Sequence, residues 1–206
     1  VPDGNPAGKT PEKEHIMAAT TTREARETTA IAPKVTYQED IVRSAVLRKL
    51  LAFARILIGF TFMWPFLDKL FGFGFATPSA RAWINGGKPS QGFLKGVTGP
   101  FSGFFNNIGS SFTDFLFMLG LFGIGLAMLT GAGLKLAAWS GTLLMFMMYL
   151  AEFPLGQPAD VVAVNPLIDS HWHEAALLLL AAYGLAGDTW GLGKWWGNKV
   201  GDSWLR

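Results

Sequence analysis

The sequence contains no cysteine. Disulfide bonds, thiolate metal sites, iron–sulfur clusters, covalently attached haem and cysteine nucleophiles are therefore excluded. Histidine is scarce as well, and His171 and His173 are only two residues apart on one predicted helix, so they cannot clamp a haem between them. We therefore expect no haem, iron–sulfur or covalent cofactor.

Charge is scarce beyond residue 50. Residues 1–50 carry eight Lys/Arg and seven Asp/Glu, whereas the remaining 156 residues carry only nine and eight. Half of all residues are hydrophobic, a composition far more apolar than that of a soluble domain. The formal net charge of +2 gives no nucleic-acid signature. The expected partner is the lipid bilayer and not a nucleic acid.

Four apolar segments predict an all-α integral membrane protein, a four-helix bundle with a disordered N-terminal tail. The helices are expected at about 45–71, 112–133, 135–153 and 170–189. The clearest run, Phe115 to Leu134, has 20 residues and no charge, which is enough for a full bilayer span. The connection that follows it is so short that the second and third helices must form an antiparallel hairpin.

Composition also predicts how the chain is divided. Residues 1–40 are rich in Thr, Ala, Pro and charge, which predicts a disordered cytoplasmic tail. The transmembrane domain is expected over 41–200, with a long loop at 72–110 that contains no acidic residue, and 201–206 form a short end. The Lys and Arg residues near the spans predict a multi-pass protein with both termini cytoplasmic.

Ionisable residues cluster at the ends of the four segments. If the helices alternate in direction, the following fall on one side of the membrane: Asp68, Lys69, Asp114, Glu152, His171, His173 and Glu174. The catalytic candidates are Glu152, His171, Glu174 and Asp68, because a histidine with a carboxylate partner can donate a hydrogen bond to a bound substrate and move protons. The structural alternative is that these charges lie at the headgroup interface. They are too few for a di-iron site, so no metal is expected.

Further residues are candidates for substrate binding. A bound anion needs cationic or N–H donors, and the candidates to hold one are Lys69, Lys88, Lys95 and His171. Arg55 lies about a turn and a half inside the cytoplasmic edge of the membrane and is a candidate to stabilise a lipid phosphate, a carboxyl group of the bundle or the head group of a bound substrate, although snorkelling to the interface is the simpler interpretation. Trp64 lies beside Pro65, whose ring interrupts helical hydrogen bonding and can open a cavity.

Three motifs resemble those of one membrane-protein family. The run RILIGFTFMWPFLDKLFG at 55–72 resembles the first helix of DoxX/DoxD-type proteins, which carries an Arg, a Gly, and then a charged residue and Lys near its exit. The loop WINGGKPSQGFL at 83–94 is similar to that family's Gly-Gly-x-Pro-Thr-x-Gly-Phe-Leu loop, with Ser90 in the Thr place. The segments DSHWHE at 169–174 and GLGKWW at 191–196 resemble the C-terminal region of DoxD-type proteins.

This resemblance covers about residues 45–200 and implies a function. It implies a subunit in the plasma (inner) membrane that belongs to a quinone-linked oxidoreductase, an enzyme that couples two thiosulfates into tetrathionate and passes two electrons to quinone. A second small subunit or a soluble redox enzyme is the implied partner. The alternative is a non-catalytic scaffold that docks a soluble redox enzyme or a respiratory complex, and a small transporter is a third reading. The resemblance assigns no catalytic role to any single residue.

Overall fold

The computed structural model describes residues 35–157, 165 and 167–206. Within them the chain forms α-helices and short 3-10 turns and no β-strand, which confirms the all-α prediction for this part of the chain. The α-helices are α1 Gln38–Ile41, α2 Ala45–Phe71, α3 Gln91–Gly96, α4 Ser102–Ile108, α5 Ser111–Thr130, α6 Leu134–Ala151, α7 Ser170–Tyr183 and α8 Gly193–Val200. The 3-10 turns are Ser79–Arg81, Trp83–Asn85 and Ala186–Asp188.

Three of these helices, α2, α5 and α6, are long and apolar enough to cross a membrane. Only 28%, 33% and 39% of their most apolar stretches are buried inside the protein. The surface that remains is also apolar, as at Phe53, Leu119 and Leu143, which are all more than half exposed. Helices that are apolar all round are typical of membrane spans, and these three indicate a membrane protein.

The ends of the long helices follow from local chemistry. The Ser44 hydroxyl accepts a hydrogen bond from the Leu47 amide at 3.3 Å and caps the start of α2. Gly72 ends α2 in the left-handed region at φ 70°, where glycine is unstrained. Gly131 ends α5 in the same way at φ 80°. The fourth helix, α7, ends at Tyr183, six residues before the predicted end at 189.

Four helices share one hydrophobic core. Helix α2 packs along α5, α6 packs along α7, and the two pairs meet through α5 with α6 and α2 with α7. The largest buried members of this core are Ile58, Phe62, Leu121, Ile124, Met128, Met145 and Leu178. The core therefore lies inside the set of helices, while their remaining apolar faces point outward.

The loop between α2 and α5 folds against one end of these helices. Its helices α3 and α4 bury Leu94, Val97 and Phe105 against Ala151 at the end of α6. We call this the loop end, and the opposite end, which carries α1 and α8, the terminal end. The loop end holds all the large clefts described below.

The predicted N-terminal tail extends too far along the chain. Residues 1–34 lie outside the described residues, but residues 35–40 have a defined structure. The Gln38 side chain is fully buried, and the backbone amide of Gln38 donates to the carboxylate of Asp188 at 2.8 Å. The Thr36 hydroxyl donates to Asp202 at 2.7 Å. These bonds to distant residues order the segment, and composition gives no sign of them.

Candidate functional site

A cleft at the loop end is lined by four cationic side chains. It has a volume of about 420 Å³ and is lined by Lys69, Arg81, Lys88 and Lys95. No acidic residue is among the described residues that line it, and none of the four cations forms an ion pair or side-chain hydrogen bond within the described part of the chain. Uncompensated positive charge in a concave site favours a small oxyanion. We call this the cationic cleft.

A tight turn brings two of these cations together. The Gly87 amide donates to the carbonyl of Ala82 at 2.9 Å. A Cβ at Gly87 would lie 1.9 Å from the carbonyl oxygen of Arg81. Only glycine fits there, and the close approach holds Lys88 beside the segment that carries Arg81.

An apolar groove lies between α5 and α6, beneath α3 and α4. Its volume is about 560 Å³, within the range of small-molecule sites. Lys69 is the one charged residue among the described residues that line it. Its walls include Leu116, Phe117, Gly120, Leu143, Leu144 and Met147. Leu116 and Leu143 are about half exposed, so the groove is open along one side. We call it the apolar groove.

The cationic cleft and the apolar groove meet. Lys69, Pro89 and Phe93 line both of them. An anion in the cleft and an apolar molecule in the groove would therefore be neighbours, with the Lys69 ammonium available to each. This junction is the strongest candidate site in the described part of the chain.

A buried carboxylate fixes helix α3 at this junction. Asp114, only 3% exposed, accepts from the amide and the hydroxyl of Ser90 at 2.8 and 2.7 Å. Its second oxygen accepts from the Gln91 side chain at 2.7 Å. Ser90 and Gln91 belong to the loop motif at 83–94, so that motif ties α3, and with it Phe93, to the start of α5.

A third cleft lies on the other side of Phe93. It has a volume of about 820 Å³ and is lined by Glu152, Asp169 and His173. The sequence predicted that His171 would lie beside Glu152, but His173 lines this cleft instead. The reason is that the face of α7 that carries Ser170 and His173 borders the cleft. Residues three apart lie on the same face of a helix, which is true of 170 and 173 as well as of 171 and 174. Only the packing of α7 decides which of these faces lines a cavity.

The other predicted catalytic residues line neither the cationic cleft nor the apolar groove. His171 pairs with Asp169, Nδ1 to Oδ2 at 2.7 Å, and borders a small apolar cavity of about 120 Å³. Glu174 is half-buried on α7. Asp68 is 2% exposed and accepts from the amides of Phe75 and Ala76 at 3.3 and 3.0 Å.

Two predicted substrate-binding residues lie away from the junction. Arg55 lies at the terminal end, is fully buried and donates to backbone carbonyls. The guanidinium therefore does not snorkel to the interface, because carbonyl groups inside the protein satisfy it. Trp64 is 41% exposed and packs edge-on against Phe75, with ring centroids 5.1 Å apart.

In the described part of the chain, no group of three or more His, Asp or Glu residues is placed to hold a metal ion. Comparison of the chain with protein-family models, curated proteins and solved structures finds no match. The cationic cleft and the apolar groove are therefore the features on which a functional proposal rests.

Proposed function

We propose that this chain is a DoxX/DoxD-type four-helix membrane bundle and the membrane subunit of a quinone-linked oxidoreductase. Its electron donor is thiosulfate or a related reduced sulfur oxyanion. The observation that carries the proposal is the meeting of the cationic cleft with the apolar groove at Lys69, Pro89 and Phe93. A donor that is a small dianion and an acceptor that is an apolar molecule need two such sites side by side.

The cationic cleft binds the donor. Two thiosulfate dianions each lose one electron and join through a new sulfur–sulfur bond to give tetrathionate. Lys69 and Lys88, with Arg81 and Lys95, screen the repulsion between the two anions and hold them by charge-assisted hydrogen bonds. The shortage of acidic residues in the loop 72–110 supports this role, since no carboxylate of the loop competes for the cations.

The apolar groove binds the quinone. Its aliphatic and aromatic walls suit an isoprenoid tail, and the head group lies at the Lys69 end. The quinone takes up the two electrons and two protons and becomes the quinol. The Lys69 ammonium stabilises the negative charge that develops on the quinone oxygen. Glu152, in the adjoining cleft, passes protons from water to the quinol oxygens.

The proposal includes α7 as a fourth membrane span. Its 14 residues extend about 21 Å at 1.5 Å per residue, less than the roughly 30 Å of the hydrocarbon core. Helix α7 packs against both α6 and α2, and Leu178 at its centre is fully buried. With four spans, both described ends of the chain lie on one side, which is the cytoplasmic side of the plasma membrane by the positive-inside rule.

The test is thiosulfate-dependent reduction of a short-chain quinone by the full chain in lipid vesicles. Lys88→Gln is expected to raise the KM for thiosulfate about tenfold or more, by loss of one charge-assisted contact, with little change in the KM for quinone. Lys199→Gln is the matched control, because Lys199 is an exposed lysine at the terminal end. Equal kinetics in the two variants would contradict the donor site.

The groove is tested with a pair of glycines on α5. Gly120→Leu fills the groove and is expected to raise the KM for quinone, since Gly120 lines it. Gly123→Leu, on the exposed side of the same helix with open space around it, is the control. If the wild-type chain is folded and reduces no quinone, the catalytic proposal fails.

One observation favours a second function. The side chains of Arg81, Lys88 and Lys95 are exposed and unpaired within the described part of the chain, which also suits a docking face for an acidic soluble redox enzyme. The two functions differ in their salt dependence. A docking face predicts that the association with the partner weakens steeply with ionic strength, whereas quinone reduction by the isolated chain needs no partner.

A further inference from the structure

The segment after α2 turns back along that helix. We call residues 72–77 the fold-back segment. The Gly74 amide donates to the carbonyl of Thr77 at 3.0 Å, and the Phe75 ring packs on Trp64 with centroids 5.1 Å apart. Trp64 lies eight residues before Gly72, about 12 Å back along the helix at 1.5 Å per residue. The ring of Phe75 therefore lies at the level of the helix body and not beyond its end.

The fold-back segment presents an apolar, uncharged surface. Phe75 is 75% exposed and Phe73 is 51% exposed. Residues 70–80 contain no charged residue. The surface continues along α2 through Trp64, which is 41% exposed, to Phe60, which is 55% exposed. It is thus continuous with the outward face of a helix long and apolar enough to span a membrane.

Several backbone amides of the segment already have partners inside the protein. In hydrocarbon each amide must find a partner inside the protein, since no water is present. The carboxylate of Asp68, itself 2% exposed, accepts from the amides of Phe75 and Ala76, and Gly74 is satisfied by Thr77. Because Asp68 accepts from these two amides, neither would be left without a hydrogen-bond partner if the segment entered the bilayer.

We propose that the fold-back segment is inserted into the lipid bilayer beside α2, with Phe73 and Phe75 in contact with acyl chains and Asp68 as the clasp that holds it there. Lipid is the occupant because the exposed rings extend the face of a membrane-length helix without a break, and because no charge interrupts that surface. The insertion does not require the oxidoreductase activity, although Ala76 and Thr77 of the segment also line the cationic cleft.

The chain has no cysteine, so single cysteines can be introduced for spin labelling without a background. Phe75→Cys and Ile84→Cys are labelled in the full chain in vesicles, and collisions with oxygen and with a water-soluble nickel complex are compared. Ile84 is the control, because it is 60% exposed in the same loop but has no place in the fold-back segment. We expect an oxygen-to-nickel ratio several-fold higher at position 75 than at position 84.

Two results would overturn the insertion. One is an equally low oxygen-to-nickel ratio at positions 75 and 84, which would place the segment in water. The other is a label at 75 that is shielded from both reagents and spin-coupled to a second copy, which would make the surface an interface between chains.

The clasp is tested with Asp68→Asn, which keeps the shape and weakens the acceptor. The label at 75 is expected to move toward the nickel reagent while a label at Phe60→Cys stays in lipid, which shows that α2 remains folded. If the label at 75 does not move, Asp68 is not the clasp.

Discussion

The side chain of Arg55 is an internal anchor at the terminal end. Its Nε donates to Ala186 at 3.2 Å, Nη1 to Leu129 at 2.9 Å and also to Met128, and Nη2 to Trp190 at 2.9 Å. The last carbonyls of a helix have no helical partner, and here a guanidinium satisfies those at the end of α5. The same group holds the turn after α7, so one side chain joins three parts of the fold.

Replacing Arg55 by lysine is expected to destabilise the protein. An ammonium lacks the planar fork that reaches several acceptors at once, and carbonyls that lose a charged donor in a buried site cost about 1.5–3 kcal/mol each. The free energy of unfolding is expected to fall by about 3 kcal/mol or more. The change is measured as a shift of the unfolding midpoint in detergent. Lys49→Gln, an exposed position on the same helix, is the control, and equal midpoints for the two variants would contradict the anchor.

The sequence identifies Arg55 and Asp68 as unusual charges but not what they bind. Their partners are backbone carbonyls and amides, which every residue carries and which leave no signal in the sequence. The acceptors of Arg55 lie between 73 and 135 residues away in the chain. Lys69, Lys88 and Lys95 stay predicted anion ligands, and the structure places Arg81 beside them in the lining of the cationic cleft.

At the scale of elements, a polar clasp joins the segment before α1 to the segment after α8. Asp202 accepts from the Thr36 amide and hydroxyl at 3.0 and 2.7 Å, and from Arg206 at 2.6 Å. Arg206, 4% exposed, also pairs with the buried Asp188 at 3.1 Å. These contacts join the two segments, and we call them the terminal clasp.

The terminal clasp is expected to weaken in acid. The hydrogen bond from the Thr36 side chain, above all, holds the pKa of Asp202 below its ordinary value. A carboxyl with a folded pKa below the unfolded value of about 3.9 stabilises the fold above that pH, and the stability is lost as pH falls through the folded pKa. The unfolding midpoints of wild type and Asp202→Asn should differ at neutral pH and converge as the pH falls below about 4.

The pKa of Asp188 is shifted in the opposite direction to that of Asp202. The pH dependence that Asp188 contributes to stability can therefore be told apart from that of Asp202. Burial raises the pKa of Asp188 despite the Gln38 amide and Arg206, so its contribution is present at low pH and is lost as pH rises through the folded pKa. The comparison of wild type with Asp202→Asn keeps Asp188 in both proteins. A midpoint difference that stays constant from neutral pH into strong acid would contradict the role of Asp202.

The helices differ in how well the sequence predicts their limits. Gly72 and Gly131 follow long apolar runs, and both end their helices with positive φ, as glycine favours. The end of α7 has a weaker signal, because the left-handed residue after it is Leu185 at φ 47°. A non-glycine residue in that region is uncommon, and here tertiary contacts impose it.

At the scale of the whole molecule, the helices pack closely in the pairs α2–α5 and α6–α7 and leave a gap in part of the pair α5–α6. A Cβ on Gly125 would lie 2.9 Å from the backbone of Met63, and one on Gly141 would lie 2.5 Å from Leu178. By contrast, a Cβ on Gly120 would have Leu144 no nearer than 4.0 Å. The apolar groove lies in this open region between α5 and α6. The sequence predicts the apolar helices, but this unequal packing depends on the complete fold.

The membrane topology is tested with Ile84→Cys and Trp204→Cys in the cysteine-free chain. With four spans, the loop end and the terminal end lie on opposite sides of the membrane. An impermeant maleimide added to intact cells should label position 84, and should label position 204 only after permeabilisation. The unsubstituted chain is the control. If α7 did not cross, both positions would be labelled from the same side.

The bonds of Arg55 also set conditions for biogenesis. During synthesis α2 is made well before its partners, because the acceptors at Met128, Leu129, Ala186 and Trp190 are all encoded later. A charged residue within an apolar helix is costly in lipid until it is paired. The nascent helix is therefore expected to stay in a hydrated or chaperoned setting until the turn after α7 has been made, because Trp190 is the last of these acceptors to be synthesised.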